Sequence, residues 1–230
     1  MIKDSRVHGI LPAAGQAIRL RRLPKFLLPC DMQALTLIEL HIENLSPLVE
    51  VIWLPVRPDL IPLVADLNLG EKVIPVALST STMTETVLKI TEISSANNFL
   101  LGMPDTIFSG EVPYAKLHSD VFSQDLTLGL WKTEPEQIGK VGSIKLDSNQ
   151  KVEESLDKNA SVNFGQHWGV MGFNRNFVDM LDPQMPHVGY GISPSIAANL
   201  RISSHIFSGS YFDCGTFSEY RRFLVNEVVE

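Results

Sequence analysis

The side chains best suited to chemistry are the cations between Leu11 and Pro29, in the run LPAAGQAIRLRRLPKFLLP. A short apolar run, Val7 to Leu11, ends in the small residues Ala13, Ala14 and Gly15, and Arg19, Arg21, Arg22 and Lys25 follow. In an open parallel sheet, ligands sit beyond the carboxyl ends of strands, and small residues there let backbone N–H groups approach a phosphate. Arg offers a planar fork for phosphate oxygens and Lys a mobile point charge. The stretch therefore reads as a phosphate-facing loop. It is neither standard nucleotide loop, because Gly15 is followed by no second glycine of a GxGxxG pattern and by no GK[ST].

Two acids stand out, Asp105 in LLGMPDTIF and Asp213 in YFDCGTF, each after an apolar, strand-like run. Pro-Asp, and Asp ahead of a glycine, are common turn starts, so on residue type alone each reads as a turn former or as a ligand. Asp157 and Lys158 stand in a polar stretch and read equally as a solvated pair. Arg21 and Arg22 read as loop charges facing solvent. The six histidines show no pair at metal-ligand spacing, and Cys214 has no neighbouring His to serve as its base.

Taken together, the segments resemble the nucleotidyltransferase superfamily, above all the sugar-1-phosphate nucleotidylyltransferases, whose opening signature is AAGxGxR followed by a PK pair. Ala13, Ala14, Gly15, Arg19, Pro24 and Lys25 fit it. LLGMPDTIF resembles the segment with the family's metal-binding aspartate, VGSIKLDSNQKV its strand-turn-strand unit, HWGVMGF from His167 the strand closing the sugar pocket, and YFDCGTFSEY the segment with the second metal-binding aspartate. Asp157, Lys158 and Asn159 sit where the family usually has Glu, Lys, Pro.

The resemblance implies attack by a sugar-phosphate oxygen on the α-phosphate of an NTP, with pyrophosphate leaving. Such chemistry needs charge neutralisation and positioning more than covalent help. It implies Mg²⁺ on Asp105 and Asp213, with Arg19 and Lys25 catalytic. The nucleotide would lie on Leu11, Ala13, Ala14, Gly15, Arg19 and Lys25, and the acceptor on Gly142, Asp157, Lys158 and Gly169. The partners would be an NTP and a sugar phosphate or similar small phosphorylated acceptor, and relatives often form homo-oligomers.

Three departures bear on this expectation. The family's second loop glycine is Ala17 here, and its usual Thr or Arg is Ile18. Where that position is left-handed, the methyl group costs about 1 to 2 kcal/mol. The loop is also about one residue shorter than in many relatives. Finally, the base turn reads Thr82, Met83, Thr84, Glu85, Thr86, Val87, and a carboxylate there repels a triphosphate unless it faces away. Transfer to a non-sugar phosphate (polyol, choline or methylerythritol phosphate) and a nucleotide-binding or protein-interaction module without turnover stand as alternatives. A dinucleotide dehydrogenase is disfavoured by the missing fingerprint.

The elements that must position these residues follow from hydrophobic pattern. Val7 to Leu11, Val49 to Leu54, Val73 to Val76 and Phe99 to Leu101 read as buried strands. Helical spacing lies between them, from Leu35 to Leu45, Leu60 to Leu67 and Met83 to Ile90. Alternation of this kind predicts a three-layer α/β/α fold with a mixed, mainly parallel, Rossmann-like sheet. Leu126 to Trp131, Val141 to Leu146 and Trp168 to Phe173 add strands, Asp147 to Gln150 a tight turn, and Asn176 to Leu181 and Ser193 to Leu200 short helices. Asp182 to Pro194 reads as a loop, either a lid or an ordinary surface connection. No domain boundary is visible, so residues 1–230 read as a single domain, with a nucleotide-binding half to about 120 and an acceptor-binding half from about 121.

Composition narrows the classes. Of 230 residues, 44% are apolar and 20% charged, which excludes disorder and coiled coil. With 19 basic against 26 acidic side chains the formal charge is −7, a poor match for nucleic acid. No run approaches the roughly 18 uninterrupted apolar residues of a membrane span. The start MIKDSRVHG lacks the apolar segment of a signal peptide, and Cys30 and Cys214 lie far apart without CxxC spacing, so a cytoplasmic location is expected.

Overall fold

The computed structural model describes residues 5–15 and 23–225. Ala17, Ile18, Arg19, Arg21 and Arg22 lie outside the described residues, so the expectations placed on them carry no structural statement here.

The first half alternates as its pattern dictates: β1 (Val7–Ile10), α1 (Leu37–Leu45), β2 (Val51–Val56), α2 (Ile61–Ala65), β3 (Val73–Ala77), α3 (Met83–Ile93) and β4 (Asn98–Leu101). These four strands are parallel in the order β3-β2-β1-β4. Next come β5 (Thr106–Phe108), α4 (Tyr114–Asp120), β6 (Leu126–Lys132), β7 (Gly142–Leu146), β8 (Val152–Asp157) and β9 (Gln166–Asn174). The chain then forms α5 (Arg175–Val178), α6 (Ile192–Ala197), β10 (Ile202–Ile206), β11 (Tyr211–Asp213) and α7 (Phe217–Phe223). β9 runs antiparallel between β4 and β6, and β10 pairs parallel with β6 at the edge. The hairpin β7–β8 joins the start of β9, while β5 and β11 form a separate two-stranded sheet.

Alternation along the strands feeds two cores, one on each face of the sheet. Leu11, Ile52, Leu54 and Leu100 join Ile38 and Ile42 of α1 and Leu117 of α4. Ile10, Phe99 and Leu101 join Val87 and Ile90 of α3, Phe177 of α5 and Ile192 of α6. Both faces are covered, which is why the central strands read as continuous apolar runs. Burying each such side chain contributes about 1.5 to 3 kcal/mol.

The structure trims several expected boundaries for local reasons. Thr36 and Glu39 form a reciprocal capping box, so α1 starts at Leu37 and not at Leu35. Pro58 and Pro62 divide the Leu60 to Leu67 segment into a 3₁₀ turn over Pro58–Leu60 and the short α2. The turn at Asp147 to Gln150 is closed by Asp147 Oδ1, which accepts from the N–H groups of Asn149 and Lys151 at 2.7 and 2.9 Å. β10, with Ser203, Ser204 and His205 at its centre, escapes a hydrophobicity reading because it is an edge strand.

Asp125, at the entrance to β6, ties the second half together. Its oxygens accept from Arg201 Nε and Nη2 at 3.0 and 2.8 Å, from the Arg201 N–H at 2.9 Å, and from the Asn174 and Asn176 amides at 3.0 and 2.8 Å. The Arg201 guanidinium holds this carboxyl well below the usual carboxylate range. A depressed folded-state value contributes stability that is complete above the unfolded value, near pH 4, and is lost as the pH falls further. Asp125→Ala is expected to cost at least about 2 kcal/mol at pH 7 by urea denaturation. The gap to the parent should narrow below about pH 4.

Candidate active site

The loop after β1 stays paired to β2 beyond the end of the strand: the Leu11 and Ala13 N–H groups donate to the carbonyls of Trp53 and Pro55 at 3.0 and 2.9 Å. Ala14 and Gly15 donate to no backbone carbonyl among the described residues, so the N–H groups free for an anion begin there. Arg57, just past β2, donates to the Gly15 carbonyl at 3.0 Å and is itself held by both oxygens of Asp59, at 2.9 and 3.0 Å. Pro12 to Gly15 form one wall of a 540 Å³ cavity. Thr80 to Met83 with Thr86 form another, and Pro24 to Phe26 with Met103 to Asp105 close it. Leu11 is buried in the core and does not line it.

Glu85, at the start of α3, does not line this cavity. Its carboxylate accepts from the Ser81 N–H at 2.7 Å and pairs with Lys89 at 2.8 Å, and the Lys89 hydrogen bond lowers its proton affinity. The turn is rich in hydroxyls: Thr80 and Thr86 are bonded at 2.6 Å, and Thr82 caps the helix through the Glu85 N–H at 3.0 Å.

Asp105 and Asp213, distant in sequence, are brought together by the pairing of β5 with β11. Thr106 stands opposite Asp213, and the Cys214 N–H donates to the Asp105 carbonyl at 2.9 Å. Lys25 Nζ lies 2.9 Å from Asp105 Oδ2 in a mostly buried ion pair. Burial, followed by the Asp105 and Glu219 charges, raises the Asp213 carboxyl to about 6, and Lys25 pulls the other way. Gly215 leaves room for that carboxylate, since a methyl group there would lie 2.7 Å from Asp213 Oδ1. Among the described residues no group of three or more His, Cys, Asp or Glu side chains could hold a metal ion. Two crowded carboxylates are nevertheless a hard, all-oxygen donor set, and their mutual repulsion is what a divalent cation relieves. The pair therefore fits a Mg²⁺-type ion completed by ligand oxygens.

A second cavity, of 260 Å³, adjoins the first across Met83, Met103 and Asp105. The β7–β8 register sets Gly142 opposite Asp157, and Lys158 then turns the chain with a φ of 50°. Gly142, Asp157, Lys158 and Asp213 line this cavity together with Lys140, Trp168, His187 and Tyr211. Gly169 does not line it; a methyl group at Gly169 would overlap the Tyr211 ring and come 2.9 Å from Trp131, so this glycine lets β9 pack beneath Tyr211. Lys25, Asp105, Asp213, Gly142, Asp157 and Lys158 thus converge, whereas Leu11 and Gly169 stand behind the walls and Arg19 is outside the described residues.

Sequence reasoning missed Lys140, Trp168, His187 and the loop anchor Arg57. Arg57 carried a signal, a cation at the carboxyl end of a buried strand, and His187 lay inside the lid candidate Asp182 to Pro194. Trp168 lay within HWGVMGF, the segment likened to the strand that closes the sugar pocket, but nothing singled it out there from an ordinary core aromatic. Cys30 and Cys214 are free thiols, both buried beside Leu37 and Phe212. No helix among the described residues is long and apolar enough to cross a membrane.

No protein-family model matches the chain, and no curated protein matches it in sequence. Solved structures do. A Bacillus anthracis protein assigned as a glucose-1-phosphate thymidylyltransferase, in complex with sucrose, superposes with a TM-score of 0.82 at 15% identity over 97% of each chain. A UDP-glucose pyrophosphorylase complexed with UDP-glucose gives 0.79 at 17% identity, covering 95% of this chain and 97% of that one. A UTP-bound enzyme of the same kind from Acinetobacter baumannii gives 0.76 at 15% identity, covering 96% and 92%. The chain has the fold of the sugar-1-phosphate nucleotidylyltransferases, a mixed sheet with helices on both faces.

Proposed function

We propose that this protein transfers a nucleotidyl group from an NTP to a sugar 1-phosphate, releasing pyrophosphate. The observation that carries the reading is the meeting of Asp105, Asp213 and Lys25 where the two cavities adjoin. The larger cavity, with its free loop N–H groups, suits a nucleoside triphosphate. The smaller suits a phosphorylated acceptor, with Lys140 and Lys158 at its edge for the acceptor phosphate.

In this reading an acceptor phosphate oxygen attacks the α-phosphorus, a new P–O bond forms, and the bond to the β-phosphate oxygen breaks as pyrophosphate leaves. Mg²⁺ held by Asp105 and Asp213 supplies charge neutralisation to the phosphate oxygens. Lys25, now paired with Asp105, is the cation within reach of the α- or β-phosphate, so triphosphate binding exchanges one anionic partner for another. Arg19 extends the same cationic loop. Gly142 leaves space for the Trp168 indole in the wall of the acceptor's cavity, Asp157 accepts from the acceptor's hydroxyls, and Lys158 neutralises its phosphate. The backbone N–H groups of Ala14 and Gly15 cradle the triphosphate in place of a Walker loop.

Pyrophosphate release with Mg²⁺, measured across a panel of NTPs and sugar, polyol and choline phosphates, tests the reading. Asp105→Asn and Asp213→Asn should each lower kcat at least about 100-fold, since each removes a carboxylate that would hold the charge-neutralising metal. A flat panel for the parent would sink it. Lys25→Ala should lower kcat by a similar factor while leaving the fold intact by circular dichroism.

Stability should report the same carboxylates. A carboxyl whose folded-state value is raised loses stability as it ionises, here between about pH 4 and about pH 6. Without Mg²⁺, Asp213→Asn should therefore melt above the parent at pH 7, by on the order of 2 kcal/mol in unfolding free energy. The two should converge below pH 4. Millimolar Mg²⁺ should raise the melting temperature of the parent and leave the variant unmoved.

A further inference from the structure

Two buried polar atoms at the 260 Å³ cavity have no hydrogen-bond partner among the described residues, Trp168 Nε1 and Asp157 Oδ1. An unpaired buried polar atom costs about 1 to 3 kcal/mol, and an orphan in a native structure calls for a cause. Both pack against Gly142. A methyl group on Gly142 would overlap Trp168 Nε1 and lie 2.8 Å from Asp157 Oδ1, and one on Gly189 would lie 2.8 Å from the same indole nitrogen. The indole is thus held edgewise between two glycines, with its N–H beside the carboxylate and bonded to nothing.

His187 orients that carboxylate. Its Nδ1 accepts from the Gly189 N–H at 3.2 Å, so the neutral ring carries its proton on Nε2, which donates to Asp157 Oδ2 at 2.6 Å. One oxygen of Asp157 is therefore satisfied and oriented, and the other can only accept. A donor-only N–H beside an acceptor-only oxygen is matched by a hydroxyl group, which accepts from the first and donates to the second. A quaternary ammonium does neither. The segment that carries His187 and Gly189 covers both atoms and is pinned to the start of α3, where Thr82 Oγ1 donates to the Pro183 carbonyl at 2.7 Å and the Met83 N–H to the Pro186 carbonyl at 3.2 Å.

Resting on the nucleotidyl-transfer reading, we propose that Trp168 is a specificity residue that reads a hydroxyl of the acceptor together with Asp157, and that His187 is the positioning residue that holds Asp157 for it. The acceptor is then a hydroxyl-bearing phosphate, a sugar or polyol phosphate.

The test compares the parent with Trp168→Phe, His187→Ala and His187→Gln in steady-state kinetics and thermal unfolding. Trp168→Phe keeps the aromatic bulk and removes an unpaired donor, so it should melt no lower than the parent while the acceptor KM rises about tenfold. Its kcat and its KM for the NTP should stay within about twofold. His187→Ala should raise the acceptor KM by a similar factor, and His187→Gln, whose amide can still donate to Asp157 Oδ2, should recover part of the loss. Parental acceptor KM values in Trp168→Phe and His187→Ala would overturn the proposal, as would choline phosphate used as well as any hydroxylated acceptor. A parent that turns over no acceptor removes the nucleotidyl-transfer reading and this one with it, whereas parental turnover with unaltered variants removes this one alone.

Discussion

The site is organised around an electrostatic conflict: two carboxylates, Asp105 and Asp213, are held close enough that burial and mutual repulsion raise the proton affinity of the second. Nothing in the local chain favours that arrangement. It is imposed by the β5–β11 ladder, in which the Cys214 N–H donates to the Asp105 carbonyl and Thr106 faces Asp213. The backbone bonds and the apolar cluster of Ile107, Phe212 and Phe223 offset the repulsion. Lys25 relieves part of it through Asp105. The remainder is what a bound cation would relieve.

The rest of the architecture distributes the two cavities about that pair. The parallel strands β1 and β2 deliver the loop at Ala14 and Gly15, and Arg57 braces its far end through the Gly15 carbonyl. The hairpin β7–β8 delivers Gly142 and Asp157 as a cross-strand pair on the other side. One segment touches both: the stretch from Pro183 to Gly191 bonds to the start of α3 beside the larger cavity and presents His187 to the smaller. A lid or a plain connection was open from its composition. Its contacts make it a wall shared by the two halves of the site, anchored at Thr82 and Met83.

Glycine and tryptophan together shape the smaller cavity. Trp168 is almost fully buried, but its indole lies in space that Gly142 and Gly189 leave open, and either methyl group would fill that space. The family likeness places a glycine near the acceptor at Gly142, and Gly142 does line the smaller cavity. Gly169, assigned beside it by the same likeness, works as a packing residue beneath Tyr211. The difference is one of facing direction along β9: neighbouring residues point to opposite faces, so Trp168 turns to the cavity and Gly169 does not.

By itself the sequence determined the residue types, the alternating strands and helices of the first half, and the loop cations, because these depend on periods and neighbours within a few residues. It also placed Asp105 and Asp213 after strand-like runs, but as turn formers or ligands alike. Tertiary structure alone decided that these acids meet, that Glu85 turns to Lys89, that Gly142 faces Asp157, and that Trp168 and His187 line the smaller cavity. Ladder register and side-chain slots are contacts between distant parts of the chain, and no local pattern encodes them. The edge strand β10 and the short β5 and β11 stayed hidden for a related reason: each is too short or too polar to show a period, and pairing with a partner far along the chain is what makes it a strand.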